Sequence, residues 1–142
     1  MTVPREEIVA QVLQWAAHAD EDLCVARHTL TLPDECPYRL VAYHAQQCAE
    51  KYLKACLVFR GVDFPYTHNI ARLLELCQEQ SDWAKELSDA EELTPFAITA
   101  RYPAHDEPVT EVEARRAVDI AGGVREAART SLQKEGVTLQ GS

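Results

Sequence analysis

The stretch Pro37-Tyr-Arg-Leu-Val-Ala-Tyr-His-Ala-Gln-Gln-Cys-Ala-Glu-Lys-Tyr-Leu-Lys-Ala-Cys-Leu-Val-Phe-Arg-Gly61 decides how the rest of the chain is read. Val41, Ala45, Cys48, Tyr52, Ala55 and Phe59 recur at alternating steps of four and three, the spacing of one stripe on an α-helix. Leu40, Ala49, Leu53, Cys56 and Leu57 widen that stripe, so neighbours are expected on more than one side. Pro37 suits a helix start and Gly61 the position just past the end, where a positive φ is wanted. A polar seam of His44, Gln47, Lys51 and Lys54 runs through this apolar surface, with Glu50 four residues before Lys54. Polar groups on a core helix need partners or a role.

Outward from this helix, the periodicity predicts three more. Ile8, Val12, Trp15, Ala19, Leu23, Ala26 and Leu30 mark an amphipathic helix over 5–30, and Pro33 and Asp34 break it from the next. Pro65 excludes a helix in the link after Gly61, and Thr67 reads as the N-cap of a helix over 68–80 carried by Ile70, Leu73, Leu74 and Cys77. Trp83 and Leu87 suggest a short helix within 81–88. Ser88 with Glu91, then Thr94 with Pro95, suggest one broken helix over 89–100. Thr110-Glu-Val-Glu113 is a capping box for a last helix over 110–134, lined by Ala114, Ala117, Val118, Ala121, Val124, Ala128 and Leu132. Gly122-Gly123 inside it costs about 2 kcal/mol relative to alanine, which implies close helix approach or a self-association face.

No segment alternates with period two. The expected architecture is therefore all-α: an antiparallel up-and-down bundle of four long helices plus a short broken helical segment. One domain over 1–135 with a flexible tail over 136–142 accounts for the 142 residues.

Carboxylates outnumber Lys and Arg 23 to 14, a formal charge of −9, which excludes a surface-wide phosphate footprint but leaves room for a local basic cleft. Five cysteines at 24, 36, 48, 56 and 77 form no C-x-x-C pair, and they read as reduced thiols with no metal site. His18 and Asp22 have a metal-compatible spacing, but no second pair accompanies them, so a solvated face is expected. The first residues carry no apolar signal segment and no run approaches membrane-spanning length, so the expected setting is cytoplasmic. No Gly-rich phosphate loop or Ser/His/Asp spacing occurs, and no cofactor is expected.

Three stretches taken together resemble the HEPN domain family (higher eukaryotes and prokaryotes nucleotide-binding). They are Tyr43-His-Ala-Gln-Gln-Cys-Ala-Glu-Lys-Tyr-Leu-Lys-Ala-Cys-Leu57 leading to Arg60-Gly61, then Thr67-His68-Asn69, then Ala100-Arg101-Tyr102-Pro103. The resemblance implies a helical bundle, frequently a homodimer, often encoded beside a minimal nucleotidyltransferase in toxin–antitoxin pairs. It also implies that catalytic members are metal-independent ribonucleases, with an arginine and, four to six residues on, a histidine near the start of the last long helix. That histidine would manage protons for the ribose 2′-hydroxyl, and the arginine would stabilise the phosphoryl transition state.

The positional match here is Arg101 and His105, with only three residues between them and Pro103 inside. Arg39 and His44 match the spacing literally but lie in the wrong helix, well apart around its axis. On this resemblance His44, Gln47, Lys51, His68 and Tyr102 are candidate contacts for a nucleotide or RNA, and Tyr102 a candidate for nucleotidylation. Bland readings stand beside these: His44 and Gln47 as satisfied polar groups in a bundle, His68 as a cap or packing contact, and Arg101 as an ion-pair partner of Glu50 or another acid. Two functions follow: a dimeric binding or regulatory module, or a ribonuclease toxin using Arg101 and His105. A metal-binding bundle would need paired Glu-x-x-His motifs, which the chain lacks.

Overall fold

A computed structural model describes residues 3–97 and 108–141. The catalytic candidates Arg101 and His105, with Tyr102, lie outside the described residues. Four α-helices form: α1 (Arg5–Thr29), α2 (Tyr38–Arg60), α3 (Ile70–Gln80) and α4 (Glu111–Lys134). Two 3₁₀ segments, Asp82–Glu86 and Ser88–Ala97, lie between α3 and α4. No strand occurs among the described residues, so the protein is an all-α bundle.

The helix quoted first is the central one. Fourteen of the 23 residues of α2 are buried, against five of 25 in α1, because α1, α3, α4 and the second 3₁₀ segment all pack on it. Leu53, Tyr52 and Ala49 are fully buried. Leu40, expected on the widened stripe, is 37% exposed, since it belongs to the first turn of α2. Gly61 ends the helix with φ 69°, its N–H donating to the Leu57 and Val58 carbonyls.

Contacts at the helix ends fix the directions. Asp22 of α1 meets His44 of α2 while the Arg5 guanidinium lies over Phe59, so α1 and α2 run antiparallel. Tyr38 donates to Glu111 at one end of the bundle and Arg60 to Glu135 at the other, so α4 runs with α2. His68 sits at Glu50 and the Cys77 thiol at the Leu53 carbonyl, so α3 follows the same direction. The bundle is all-α as expected, but its four long helices do not alternate in direction: α2, α3 and α4 share one, and non-α segments make the return strokes. The link 61–69 runs back along α2, and the 3₁₀ pair runs back along α4, with Asp89 beside Asp119 and Phe96 beside Glu113.

Local details differ from the periodic reading for identifiable reasons. Asn69, not Thr67, caps α3 by accepting from the Arg72 N–H. Thr67 instead accepts from the Asn69 N–H, and the His68 carbonyl is taken by Gln46, which holds the link extended until Ile70. The Thr94 hydroxyl caps a neighbouring element, accepting from the Ile70 N–H. Residues 82–97 are 3₁₀ rather than α-helical, interrupted at Leu87 and carrying Pro95, which has no N–H to donate. The Thr110–Glu113 capping box forms as read.

Beyond α4, where a loose tail was expected, Gly136 turns the chain at φ 92° and Val137 is 3% exposed. Arg5 donates to the Glu135 carbonyl and Arg129 to that of Gly141. The two interior glycines part company. A Cβ on Gly122 would stand 3.2 Å from the Arg27 guanidinium, whereas one on Gly123 would meet nothing within 4 Å. No helix among the described residues is long and apolar enough to cross a membrane.

Candidate functional site

The polar seam of α2 feeds three networks. The innermost lies on the side facing the 61–69 link. Glu50, 3% exposed, accepts from Gln46 (3.1 Å) and the His68 Nδ1 (2.7 Å) on one oxygen, and from Lys54 (3.1 Å) on the other. Gln47 donates to Gln46 at 2.7 Å. Lys54 is 5% exposed, and its ammonium lies 5.5, 5.7 and 5.9 Å from the ring centres of Trp15, Phe64 and Tyr66. A buried cation is thus held by one carboxylate and three aromatic faces.

The second network faces α1. Asp22 binds the His44 Nδ1 at 2.8 Å and the Lys51 ammonium at 2.5 Å, both partly exposed. That engagement replaces the His18–Asp22 pair considered from spacing, and no group of three or more metal-type ligands exists among the described residues. The third network joins α1, α2 and α4 around Asp20, which accepts from the Tyr52 hydroxyl and from Arg125 at 2.8 Å, with Arg129 at 3.6 Å. Burial, then the bond to Asp20, pushes the Tyr52 hydroxyl well above its usual range, so it stays a neutral donor.

The three buried thiols, Cys48, Cys56 and Cys77, are unsuited to chemistry. Burial pushes Cys48 up to about 12, assisted by the charges of Asp20 and Asp22, and pushes Cys77 up to about 12. Burial raises Cys56 further, with Cys77 adding to it. A thiol that does not ionise is neither nucleophile nor metal ligand.

The described candidates therefore fall into two groups. His44 and Lys51 share Asp22, whereas Gln47 and His68 join the Glu50 network. Each histidine presents Nδ1 to an acceptor-only carboxylate, which leaves Nε2 as the outward ring nitrogen. His68 is the more open, its side chain 49% exposed. The periodic reading missed Asp20, Arg125 and Arg129. The available signal was the step of four from Ala121 to Arg125 to Arg129, which sets two cations along the edge of the apolar face of α4.

A family model described as the HEPN domain matches residues 12–131. The chain belongs to the HEPN family. Among solved structures, the HEPN chain is similar to the crystal structure of TT1696 from Thermus thermophilus, at 27% identity and a TM-score of 0.65. The match covers 84% of this HEPN chain and 97% of that one. Comparison with curated proteins gave no match. The matched span runs from the first half of α1 to the last turn of α4, so all three α2 networks lie within it.

Proposed function

We propose that this HEPN protein is a dimeric nucleotide- or RNA-binding regulatory module, paired with a minimal nucleotidyltransferase in a toxin–antitoxin-type system. The observation that carries this reading is the way carboxylates hold the candidate side chains. Asp22 fixes both His44 and Lys51, and Glu50 fixes His68, so these side chains form preset, partly exposed binding edges rather than a free acid–base pair. The exposed edges of His44, Lys51 and His68 contact phosphate or base, Tyr102 adds a further contact, and Gln47 buttresses the set from within. Family membership supports a nucleotide-binding or ribonuclease-like role. In sequence, the Arg101–His105 stretch ends five residues before α4.

The test is purified protein with labelled RNA in the presence of a chelator. Binding without turnover is expected, with two chains by light scattering. The competing reading is a metal-independent ribonuclease toxin. It predicts chelator-resistant cleavage leaving a 2′,3′-cyclic phosphate, reduced by about 10²–10⁴-fold in His105→Ala and by a comparable factor in Arg101→Ala. Robust cleavage lost in both variants overturns the binding reading in favour of the enzyme.

A further inference from the structure

We propose that the groove between α4 and the 3₁₀ return segment is a docking site for a cationic, amphipathic segment of a partner protein. Two depressions, about 610 and 240 Å³, meet at Gly123 and form one channel along the outer flank of α4. Its apolar surface comes from Trp83, Leu87, Ile120, Val124 and Ala127. Its walls carry six carboxylates: Asp82, Glu86, Asp89, Asp119, Glu126 and Glu135. Arg60 and Lys134 also line the walls, and three of the six carboxylates are already paired, Glu135 with Arg60 at 3.1 Å, Asp82 with Lys85 at 3.0 Å and Asp89 with Arg116 at 4.0 Å, which leaves Glu86, Asp119 and Glu126 to meet a cationic partner.

Three further features select a cation. Arg60, Gln80 and Lys134 line the larger of the two depressions, so the C-terminal ends of α2, α3 and α4 converge there with the negative ends of their dipoles. Trp83 lines the same depression, and an indole is the aromatic ring that best attracts an ammonium or guanidinium. Gly123 is exposed in mid-helix, where alanine would be the better helix former and a Cβ would touch nothing in the chain itself. The absence of a side chain there keeps the channel continuous, which fits close approach by another backbone.

A second copy of this chain is disfavoured as occupant. A two-fold contact would set this groove against itself, with Glu86, Asp119 and Glu126 facing their own copies. Nucleic acid is repelled by the same charges. The inference thus goes beyond the nucleotide or RNA reading and assigns a different face to protein partners.

The probe is a synthetic leucine–lysine amphipathic peptide, with its leucine–glutamate counterpart as control, titrated against the full chain. Saturable, salt-sensitive binding of the lysine peptide alone is expected. Gly123→Phe, which changes no charge, should weaken it by about tenfold or more, as should Glu126→Lys. Glu21→Lys, on the exposed face of α1, changes net charge equally and should leave binding within about twofold. Gly123→Gln serves as the blocking variant if the phenylalanine chain does not fold. Binding that falls equally in Glu126→Lys and Glu21→Lys, or survives a folded Gly123 variant, overturns the proposal. So does an absence of wild-type binding, or a dimer that the Gly123 variants dissociate.

Discussion

The two flanks of this protein treat charge in opposite ways. Around α2 the polar side chains are drawn inward and paired: Asp22 with His44 and Lys51, Glu50 with Lys54 and His68, Asp20 with Arg125 and Tyr52. Along the outer flank of α4, carboxylates crowd a groove that holds few cations. A buried charge must be paired because desolvation is otherwise too costly, whereas an exposed one is tolerated by water and free to await a partner. The first flank therefore acts as a scaffold that presets its exposed edges, and the second as a surface with unused electrostatic capacity.

Breaking the inner flank gives the largest effect. Leu53→Asp puts a carboxylate with no partner at a fully buried position and should cost about 5 kcal/mol, enough to unfold most of the protein at room temperature by circular dichroism. An unchanged melting temperature would mean that this face of α2 is not the core. Next comes Glu50→Ala, which strands the Lys54 ammonium and should cost about 3 kcal/mol or more in urea unfolding. Replacing both residues, as Glu50→Leu with Lys54→Met, should recover most of that loss. A double variant as unstable as the single would show that the aromatic enclosure, not the ion pair, holds this region together.

The groove flank is expected to respond in the other direction. Gly123→Ala should raise stability by about 1 kcal/mol, because helix propensity improves and the new methyl meets open space. Gly122→Ala should gain less, since the Arg27 guanidinium must shift from 3.2 Å. Equal gains at the two sites would remove the distinction between a packed glycine and a groove glycine. The smallest effect belongs to the exposed pair Lys85–Asp82, where Lys85→Ala should change the unfolding free energy by less than about 0.5 kcal/mol. A loss as large as that of Glu50→Ala would erase the contrast between the flanks.

The sequence by itself determined the elements whose causes are local. The stripe from Val41 to Phe59, the stop at Gly61 and the Thr110–Glu113 capping box are set by residues within a turn or two of one another, so spacing alone reveals them. Tertiary structure decided whatever depends on distant chain. Asp22, read from spacing as part of a solvated face, instead binds His44 and Lys51, which helix packing brings to it from 22 and 29 residues away. Thr94 caps Ile70, 24 residues back, so the start of α3 depends on a segment not yet reached in the chain. The shared direction of α2, α3 and α4 rests on an extended link and a 3₁₀ return, which carry no helical period to read. Periodicity reports which face of a helix is apolar; it carries no information about which way the next helix runs or whose charge will face it.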